Sequence, residues 1–243
     1  MIILTGGAGF IGSALAWRLN KEGYDKLLIV DRLGSTNQWQ NLVGKRFASF
    51  VHKDNFFSWL ETKGTDKKIS AIFHLGACSS TDETNVDYLM ENNFNYSARL
   101  FDYACSCDIP FFYASSAATY GCGEHGYCDD IETTKKLRPS NPYGYSKHLF
   151  DEWILRQDKL PSTWAGFKFF NVYGPNEYHK KSMQSLVAKA VPQILQTSSL
   201  KLFKSGREDI KDGEQKRDFI YIKDVVDIMF YFWQSSLSTQ NQV

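Results

Sequence analysis

A glycine-rich turn directly after the first apolar run is the feature that most restricts the fold of this chain. The run Met1–Thr5 is typical of a buried strand, and "GGAGFIG" follows it with Gly6, Gly9 and Gly12. Glycine permits a tight turn and a close contact between a strand and the helix that comes next. The spacing therefore predicts a strand–turn–helix unit that opens a parallel sheet.

Apolar runs alternate with helical patterns along the rest of the chain. The runs "KLLIVD", "AIFHLGA", "PFFYASS" and "WAGFKFFNVYG" are continuous, as in strands that are buried on both faces. Between the strands we expect helices at residues 10–22, 87–107 and 142–158. This alternation predicts an α/β fold, a doubly wound parallel sheet of the Rossmann type with helices on both faces.

The glycine turn also predicts a ligand. A helix that begins at such a turn offers free N–H groups and a partial positive charge to phosphates. Asp31 ends the second strand, where its carboxylate can accept a hydrogen bond from a ribose 2′-hydroxyl. Together these features favour a dinucleotide. Asp31 alone indicates NAD, whereas Arg32 and Lys53 could hold a 2′-phosphate and favour NADP, unless both are surface charges.

Strand ends further along the chain complete the expected dinucleotide site. Small residues in "HLGACSST", after the fourth strand, would let a dinucleotide lie against the backbone at the carboxyl edge of the sheet. His74, at the start of this motif, is expected to be a packed strand residue and not a catalyst.

Residues suited to acid–base chemistry emerge at the same edge. Ser115 and Ser116 end the fifth strand, and Tyr143 and Lys147 lie one turn apart on the next helix. A free tyrosine has a pKa of about 10, and a nearby ammonium together with a nicotinamide ring would lower it. We expect Tyr143 to move the hydroxyl proton of a substrate during hydride transfer, with one serine holding the substrate oxygen. Lys147 would also bind the nicotinamide ribose. The alternative is a chance pair on a helix surface.

Composition argues against several other classes of function. Lys plus Arg is 28 and Asp plus Glu is 27, so no basic excess favours a nucleic-acid partner. There is no signal-peptide pattern and no apolar run of roughly 20 residues, so we expect a soluble, cytoplasmic protein without a membrane partner. The odd number of cysteines favours reduced thiols. Cys122, His125 and Cys128 do not have the spacing of a zinc site, and no metal is expected.

The strand–helix rhythm changes after residue 171. Residues 175–182 are polar and irregular, residues 204–217 are strongly charged, and "FIYIKDVVDIMFYFW" then predicts a strand followed by a helix. We therefore expect a dinucleotide-binding domain over residues 1–170. Residues 171–243 would form a smaller substrate-binding portion, interleaved with the last strand and helix of the first domain.

Several motifs together resemble one family. "GACSST", "YASSAATYG", "YGYSK", "FNVYGP" and "EYHKKSM" are similar to motifs of the extended short-chain dehydrogenases/reductases that act on nucleotide sugars, and in particular of the ADP-L-glycero-D-manno-heptose 6-epimerase family. The resemblance covers essentially the whole chain. It implies an NADP-dependent, homo-oligomeric isomerase that epimerises C6 of ADP-D-glycero-D-manno-heptose for the lipopolysaccharide core. It also implies that this chain ends some tens of residues before the usual C-terminus of the family.

The resemblance implies a role for individual residues. Tyr143 would be the first acid/base, Lys180 the second, unless the register shifts the second role to Lys181, and Ser116 would support the substrate oxygen. The residues expected to bind the cofactor are Gly6, Gly9, Phe10, Ile11, Gly12, Asp31, Arg32, Gln38, Lys53, Leu75, Gly76, Ala77, Cys78, Ser79, Asn92, Lys147 and Val172. The residues expected to bind the substrate are Ser116, Asn171, Ser182, Lys189, Phe203, Lys204, Ser205, Gly206 and Arg217.

Departures from the family pattern keep other interpretations open. Leu75 stands where the family usually has Glu, and Gln38 replaces an expected second lysine for the 2′-phosphate, which weakens the NADP prediction. The main alternative is another nucleotide-sugar 4-epimerase or a reductase. A 4,6-dehydratase is disfavoured because Ala117 and Ala118 stand in place of its Asp-Glu pair. A non-catalytic dinucleotide sensor is a further alternative, although such modules commonly lack the Tyr/Lys pair.

Overall fold

The protein is described here by a computed structural model, which covers residues 1–64, 68–206 and 208–240. Its main sheet has six parallel strands in the order β3-β2-β1-β4-β5-β6, which is the Rossmann order. The strands of this sheet are Ile2–Thr5 (β1), Leu27–Asp31 (β2), Ser49–His52 (β3), Ala71–His74 (β4), Phe111–Ser116 (β5) and Trp164–Phe169 (β6). A second sheet pairs Asn171–Tyr173 (β7) with Phe219–Tyr221 (β8), also in parallel.

Helices connect most of these strands. They are Phe10–Lys21 (α1), Phe56–Trp59 (α2), Val86–Leu89 (α3), Tyr96–Ser106 (α4), Ile131–Lys136 (α5), Pro142–Ile154 (α6), Leu186–Thr197 (α7) and Ile222–Gln240 (α8). Turns of π-helix occupy Leu60–Gly64 and Met90–Asn95, and turns of 3₁₀-helix occupy Asn37–Leu42, Lys53–Asn55, Ala117–Tyr120 and Tyr178–Met183.

Both faces of the main sheet are buried. Along β1, Ile2 and Leu4 pack into one core with α1 and α8, while Ile3 points to the opposite core with α4 and α6. This alternation follows from the twofold period of a strand, and it explains why the strands are continuously apolar. The predicted doubly wound α/β fold is confirmed. In the part of the chain that the structure describes, no helix is both long and apolar enough to cross a bilayer.

The single strand expected over "WAGFKFFNVYG" is wrong. The chain leaves the main sheet after Phe169, and Asn171 begins β7 in the second sheet. The reason is the length of β5, because Ser116 is the last residue of β5 and pairs with Phe169. The peptide groups beyond that point find a different partner, and the Asn171 N–H donates to the carbonyl oxygen of Asp218 at 3.2 Å.

Two predicted helices differ in detail. The helix expected at 87–107 contains the π-helical turn Met90–Asn95 between α3 and α4. Pro142 does stand at the first position of α6, where Asn141 caps the helix by accepting a hydrogen bond from the Gly144 N–H at 2.7 Å. This helix ends at Ile154 and not at 158. The change of sheet comes after β6 and α8 packs back onto the first core, but the division at residue 170 remains a prediction.

Candidate active site

A cleft of about 450 Å³ opens at the carboxyl edge of the main sheet, where open α/β sheets bind ligands. It is lined by most of the residues expected to bind the cofactor, namely Gly6, Gly9, Phe10, Ile11, Gly12, Asp31, Arg32, Gln38, Lys53, Leu75, Gly76, Ala77, Cys78, Ser79 and Asn92. Sequence reasoning missed a second group in the lining, namely Thr5, Val30, Ser80, Tyr88, Tyr96, His179 and Met183. The expected residues outside the lining are Lys147 and Val172. Val172 belongs to the apolar core.

The three glycines of the turn have different surroundings. Gly6 has a φ of +65°, and a Cβ there would lie 2.6 Å from the backbone nitrogen of Gly76. A Cβ on Gly12 would lie 2.1 Å from the carbonyl oxygen of Gly6, so α1 can approach the turn only because this side chain is absent. Gly9 is less crowded, since a Cβ there would have one close neighbour, the Gly6 carbonyl oxygen at 3.1 Å, which would have to move slightly. The first and third glycines thus serve the fold, and the second leaves a backbone surface open to the cleft.

Asp31 is built into the wall of the cleft. Its carboxylate accepts hydrogen bonds from the backbone N–H groups of Ala8 at 2.9 Å and Arg32 at 2.7 Å. Burial raises its pKa, while the hydrogen bonds from Ala8, Arg32 and the Gln38 side chain act in the opposite direction. The carboxylate lies in the lining and can accept from a ribose hydroxyl. The Gln38 side chain, which stands where the family pattern has a lysine, thus supports the Asp31 carboxylate.

Two cations stand at the same end of the cleft. Arg32 is exposed, and Lys53 forms an ion pair with Asp54 at 3.0 Å. Both line the cleft beside Asp31. This end of the cleft therefore offers an acceptor for a hydroxyl and positive charge for a phosphate.

Tyr143 is almost completely buried, with 8% of its surface exposed. Burial raises the pKa of its phenol above the ordinary value, and a hydrogen bond from the Ser116 side chain opposes this shift. In the protein alone, desolvation of the phenolate outweighs the contact with Ser116, and a lowering of the Tyr143 pKa by Lys147 together with a bound nicotinamide ring remains a prediction. Ser116, and not Ser115, is the serine that reaches Tyr143.

Lys147 lies deeper than a surface pair would allow, since 6% of it is exposed and its Nζ donates to the Ala114 carbonyl oxygen at 2.9 Å. Burial lowers its pKa to about 8, and Asp151 opposes this shift. Asp151, one turn further along α6, accepts from Tyr113 at 2.9 Å, Ser115 at 2.7 Å and Lys168 at 2.5 Å. This buried network was not predicted, although the spacing Tyr143–Lys147–Asp151 places all three on one face of a helix.

The π-helical turn places two asparagines against the cleft. Asn92 lines the cleft, and the completely buried Asn93 binds the backbone of Cys78. Its Oδ1 accepts from the Cys78 N–H at 2.8 Å, while its Nδ2 donates to the Cys78 carbonyl oxygen at 3.0 Å and to Ser146 Oγ at 3.1 Å. One amide thus joins the wall of the cleft to α6, the helix of Tyr143. A π-turn is frequent at functional sites because it redirects side chains.

Lys180 enters the cleft from a different element. It is half-buried in the turn Tyr178–Met183, and its Nζ lies 5.3 Å from the centre of the Phe10 ring. Burial lowers the pKa of its amine, while Glu177 opposes the shift. The carboxylate of Glu177 is 1% exposed and accepts from the N–H groups of Gly174 and Ser185, which fixes the base of this loop. Lys181 is exposed, so the geometry favours Lys180.

The residues expected to bind the substrate lie outside the cleft lining. Asn171 is exposed at the start of β7, Lys189 donates from α7 to the carbonyl oxygen of Ser182, and Arg217 is exposed just before β8. The stretch 203–206 is also largely exposed. These roles therefore remain predictions.

Two further expectations concern histidine and metal. His74 is 3% exposed and lies 2.7 Å from both Thr5 Oγ1 and Ser97 Oγ, and burial lowers its pKa to about 3, which agrees with a packed strand residue. Within the described ranges, no group of three or more His, Cys, Asp or Glu is arranged to hold a metal ion.

Comparison with known proteins identifies the family. The family model described as "NAD dependent epimerase/dehydratase family" matches residues 2–242. The chain belongs to this family. A cleft that the matching residues build at the carboxyl edge of the sheet fits the nicotinamide dinucleotide that the family's description names.

Within this family, the similarity to heptose epimerases is strong. An ADP-L-glycero-D-manno-heptose-6-epimerase of Fusobacterium nucleatum is 51% identical over 95% of this chain and 70% of its own length. One of Nitratidesulfovibrio vulgaris is 47% identical over 97% of this chain and 72% of its own. The crystal structure of the Helicobacter pylori enzyme of that name has a TM-score of 0.78 at 29% identity, over 96% of this chain and 72% of its own. The resemblance inferred from the motifs is confirmed.

The glycine geometry predicts two different results from the same substitution. Gly12→Ala places a methyl group against the Gly6 carbonyl and should destabilise the protein by about 3 kcal/mol or more. Gly9→Ala should cost much less stability than Gly12→Ala, because its one close contact is at 3.1 Å, but it should reduce the rise in melting temperature on adding NAD or NADP. Thermal unfolding with and without each dinucleotide measures both effects. A Gly9→Ala variant that dinucleotides stabilise as strongly as the wild type would contradict the proposed phosphate position.

Burial of Lys147 predicts a dependence of stability on pH. Its folded pKa of about 8 is below the ordinary value of 10.5, so the unfolded chain binds more protons between these values and the free energy of unfolding rises with pH across that window. Lys147→Met should lack this rise. The variant should gain up to about 3 kcal/mol relative to the wild type below pH 8, and the gain should disappear above the upper value. Urea unfolding from pH 7 to 10.5 measures the free energy of unfolding of both proteins. If the two plots of this free energy against pH are parallel, the pKa of Lys147 is not lowered in the folded protein.

Proposed function

We propose that the protein epimerises C6 of ADP-D-glycero-D-manno-heptose to give ADP-L-glycero-D-manno-heptose, as a step that supplies heptose to the lipopolysaccharide core. The observation that carries the proposal is the position of Lys180. Its amine is half-buried in the dinucleotide cleft on a loop separate from the helix of Tyr143. A simple reductase needs one acid/base, whereas inversion of a carbinol carbon benefits from two. The proposal includes the homo-oligomeric state that the resemblance implies and the cytoplasmic location expected from the sequence pattern.

The chain's residues can divide the reaction between them. The bound dinucleotide supplies the acceptor and donor of hydride. Tyr143, oriented by Ser116, accepts the proton of the C6 hydroxyl as the carbon becomes a ketone. After the planar intermediate turns, its oxygen lies elsewhere, and Lys180 donates a proton there when hydride returns to the other face. Lys147 keeps positive charge near Tyr143, and Asp151 holds that charge in place.

Burial acts on both groups in the protein alone. It raises the pKa of the Tyr143 phenol, so the phenolate that accepts a proton needs further positive charge, which Lys147 and the bound nicotinamide ring would supply. It lowers the pKa of the Lys180 amine, which brings this group closer to the neutral pH at which a general acid or base works best.

A direct test follows the configuration at C6 by NMR in a mixture of the protein and ADP-D-glycero-D-manno-heptose. The wild type should establish an equilibrium of both epimers, and Tyr143→Phe should slow the reaction by about a hundredfold or more. Lys180→Met should abolish epimerisation, with Lys181→Met as the matched control that keeps it. Loss in Lys181→Met alone would move the second base by one residue, and activity in both variants would reject the two-base mechanism.

A C6-aldehyde analogue separates the two halves of the reaction. It can be both oxidised and reduced, so it reports proton transfer on each face without epimerisation. Lys180→Met should retain the chemistry that Tyr143 supports, and Tyr143→Phe the chemistry that Lys180 supports. If neither variant acts on the analogue while both bind dinucleotide, the assignment of one proton transfer to Tyr143 and the other to Lys180 is wrong. A wild type that instead inverts C4 of a different nucleotide sugar would favour the 4-epimerase.

We further propose that the cofactor is NADP, because Arg32 and Lys53 lie in the lining beside Asp31. Arg32→Ala should weaken NADP binding by about tenfold while changing NAD binding little, since a charged hydrogen bond to the 2′-phosphate is lost. Arg46→Ala is the matched control, because Arg46 is paired with Asp25 and does not line the cleft. Isothermal titration with both dinucleotides measures the ratio. If the wild type prefers NAD, Asp31 dominates and both cations are surface charges.

A further inference from the structure

Asn41 joins two loops that are far apart in the sequence. Its side chain is 8% exposed, and its Nδ2 donates to the Ala8 carbonyl oxygen of the glycine turn at 3.0 Å. The same nitrogen lies 3.3 Å from the carbonyl oxygen of Asn176 and 3.1 Å from His179 Nδ1. Asn176 and His179 belong to the loop that carries Lys180. A single buried amide therefore connects the turn expected to hold the pyrophosphate with the loop of the second base.

The contact is part of a longer chain of hydrogen bonds. Ala8 is completely buried, and while its carbonyl accepts from Asn41, its N–H donates to Asp31 at 2.9 Å. On the other side, Asn176 Nδ2 donates to Ser13 Oγ in α1 at 3.2 Å. The Lys180 loop is thus fastened to both the glycine turn and the first helix. Asp31, the expected ribose ligand, is hydrogen-bonded to the same residue, Ala8, as Asn41.

From this geometry we propose that Asn41 is a positioning residue, which holds the Lys180 loop against the glycine turn. A bound dinucleotide and the Lys180 amine are then both positioned relative to one residue, Ala8. The inference rests on the proposed function, because only a catalytic role of Lys180 requires its amine to be held at a defined position. Lys180 and His179 line the cleft together with Gly6 and Gly9. Dinucleotide binding should therefore shield Lys180, and it should do so only while the loop is fastened.

Loss of the Asn41 amide should change the position of the Lys180 loop without changing that of the glycine turn. The glycine turn stays in place, because the contacts of Gly12 and Asp31 do not involve the amide. The Lys180 loop loses its attachment to Ala8, so its distribution between docked and undocked positions changes. Lys53 lines the same cleft from the end of β3, on an element that Asn41 does not hold, and serves as an internal reference.

The test is acetylation of lysines with limiting acetic anhydride, followed by mass spectrometry, with and without saturating NADP. In the wild type, NADP should slow acetylation of both Lys180 and Lys53. In Asn41→Asp, which keeps the shape but removes the donor, protection of Lys53 should persist while that of Lys180 falls by about fivefold, the equivalent of one ordinary hydrogen bond. If Asn41→Asp does not fold, because its carboxylate faces the Ala8 carbonyl, the neutral Asn41→Ala takes its place.

Asn20→Asp is the matched control. Asn20 is also 8% exposed, and its Nδ2 donates to the carbonyl oxygens of Tyr24 and Arg46, away from the cleft. It should lose stability as Asn41→Asp does, yet protect both lysines as the wild type does. Unchanged protection of Lys180 in Asn41→Asp overturns the proposal, and so does an equal loss at Lys180 and Lys53. Acetylation needs no turnover. A wild type that fails to epimerise would therefore reject the proposed function, while the acetylation of Lys180 would still test the role of Asn41.

Discussion

The close contact between α1 and the glycine turn is the constraint on which the site depends. Only a glycine at position 12 lets the first turn of the helix lie against the Gly6 carbonyl. That contact fixes the backbone at Ala8, whose N–H and carbonyl are then held by Asp31 and Asn41. The turn is therefore both the expected phosphate site and the point to which distant segments attach. A change in its shape would alter the ribose ligand and the Lys180 loop together.

The sequence predicted the sheet and the cleft well because their signals are local. The central strands β1, β2, β4 and β5 lie in continuous apolar runs, and Gly6, Gly9, Gly12 and Asp31 stand at or just after strand ends with short, recognisable spacings. The edge strand β3, Ser49–His52, is mostly exposed and has no such run. The division between β6 and β7 was missed for a physical reason. The largely apolar pattern runs across both strands without a break. They are separated because β5 ends at Ser116, and that end cannot be read from residues 164–173.

The supporting residues of the site were missed because their partners are remote. Asn41 bonds to a loop more than a hundred residues away, and Asn93 and Asp151 bond across elements as well. The burial of Tyr143, which raises its pKa in the protein alone, was not predicted, because charge can be inferred from spacing, whereas burial depends on the complete fold. Asp151 alone left a usable signal, one turn after Lys147, and it stabilises an ammonium that would otherwise be poorly tolerated at that depth.

The π-helical turn between α3 and α4 contains one residue more than a regular helix needs per turn. That extra residue lets Asn92 face the cleft while Asn93 faces Cys78 and Ser146. In a chain one residue shorter here, a regular helix would rotate everything before the deletion by about 100° relative to everything after it. The length of this segment therefore matters to the site as directly as the side chains of Asn92 and Asn93 do, and insertions or deletions should be tolerated in the exposed loops of the chain but not in Met90–Asn95.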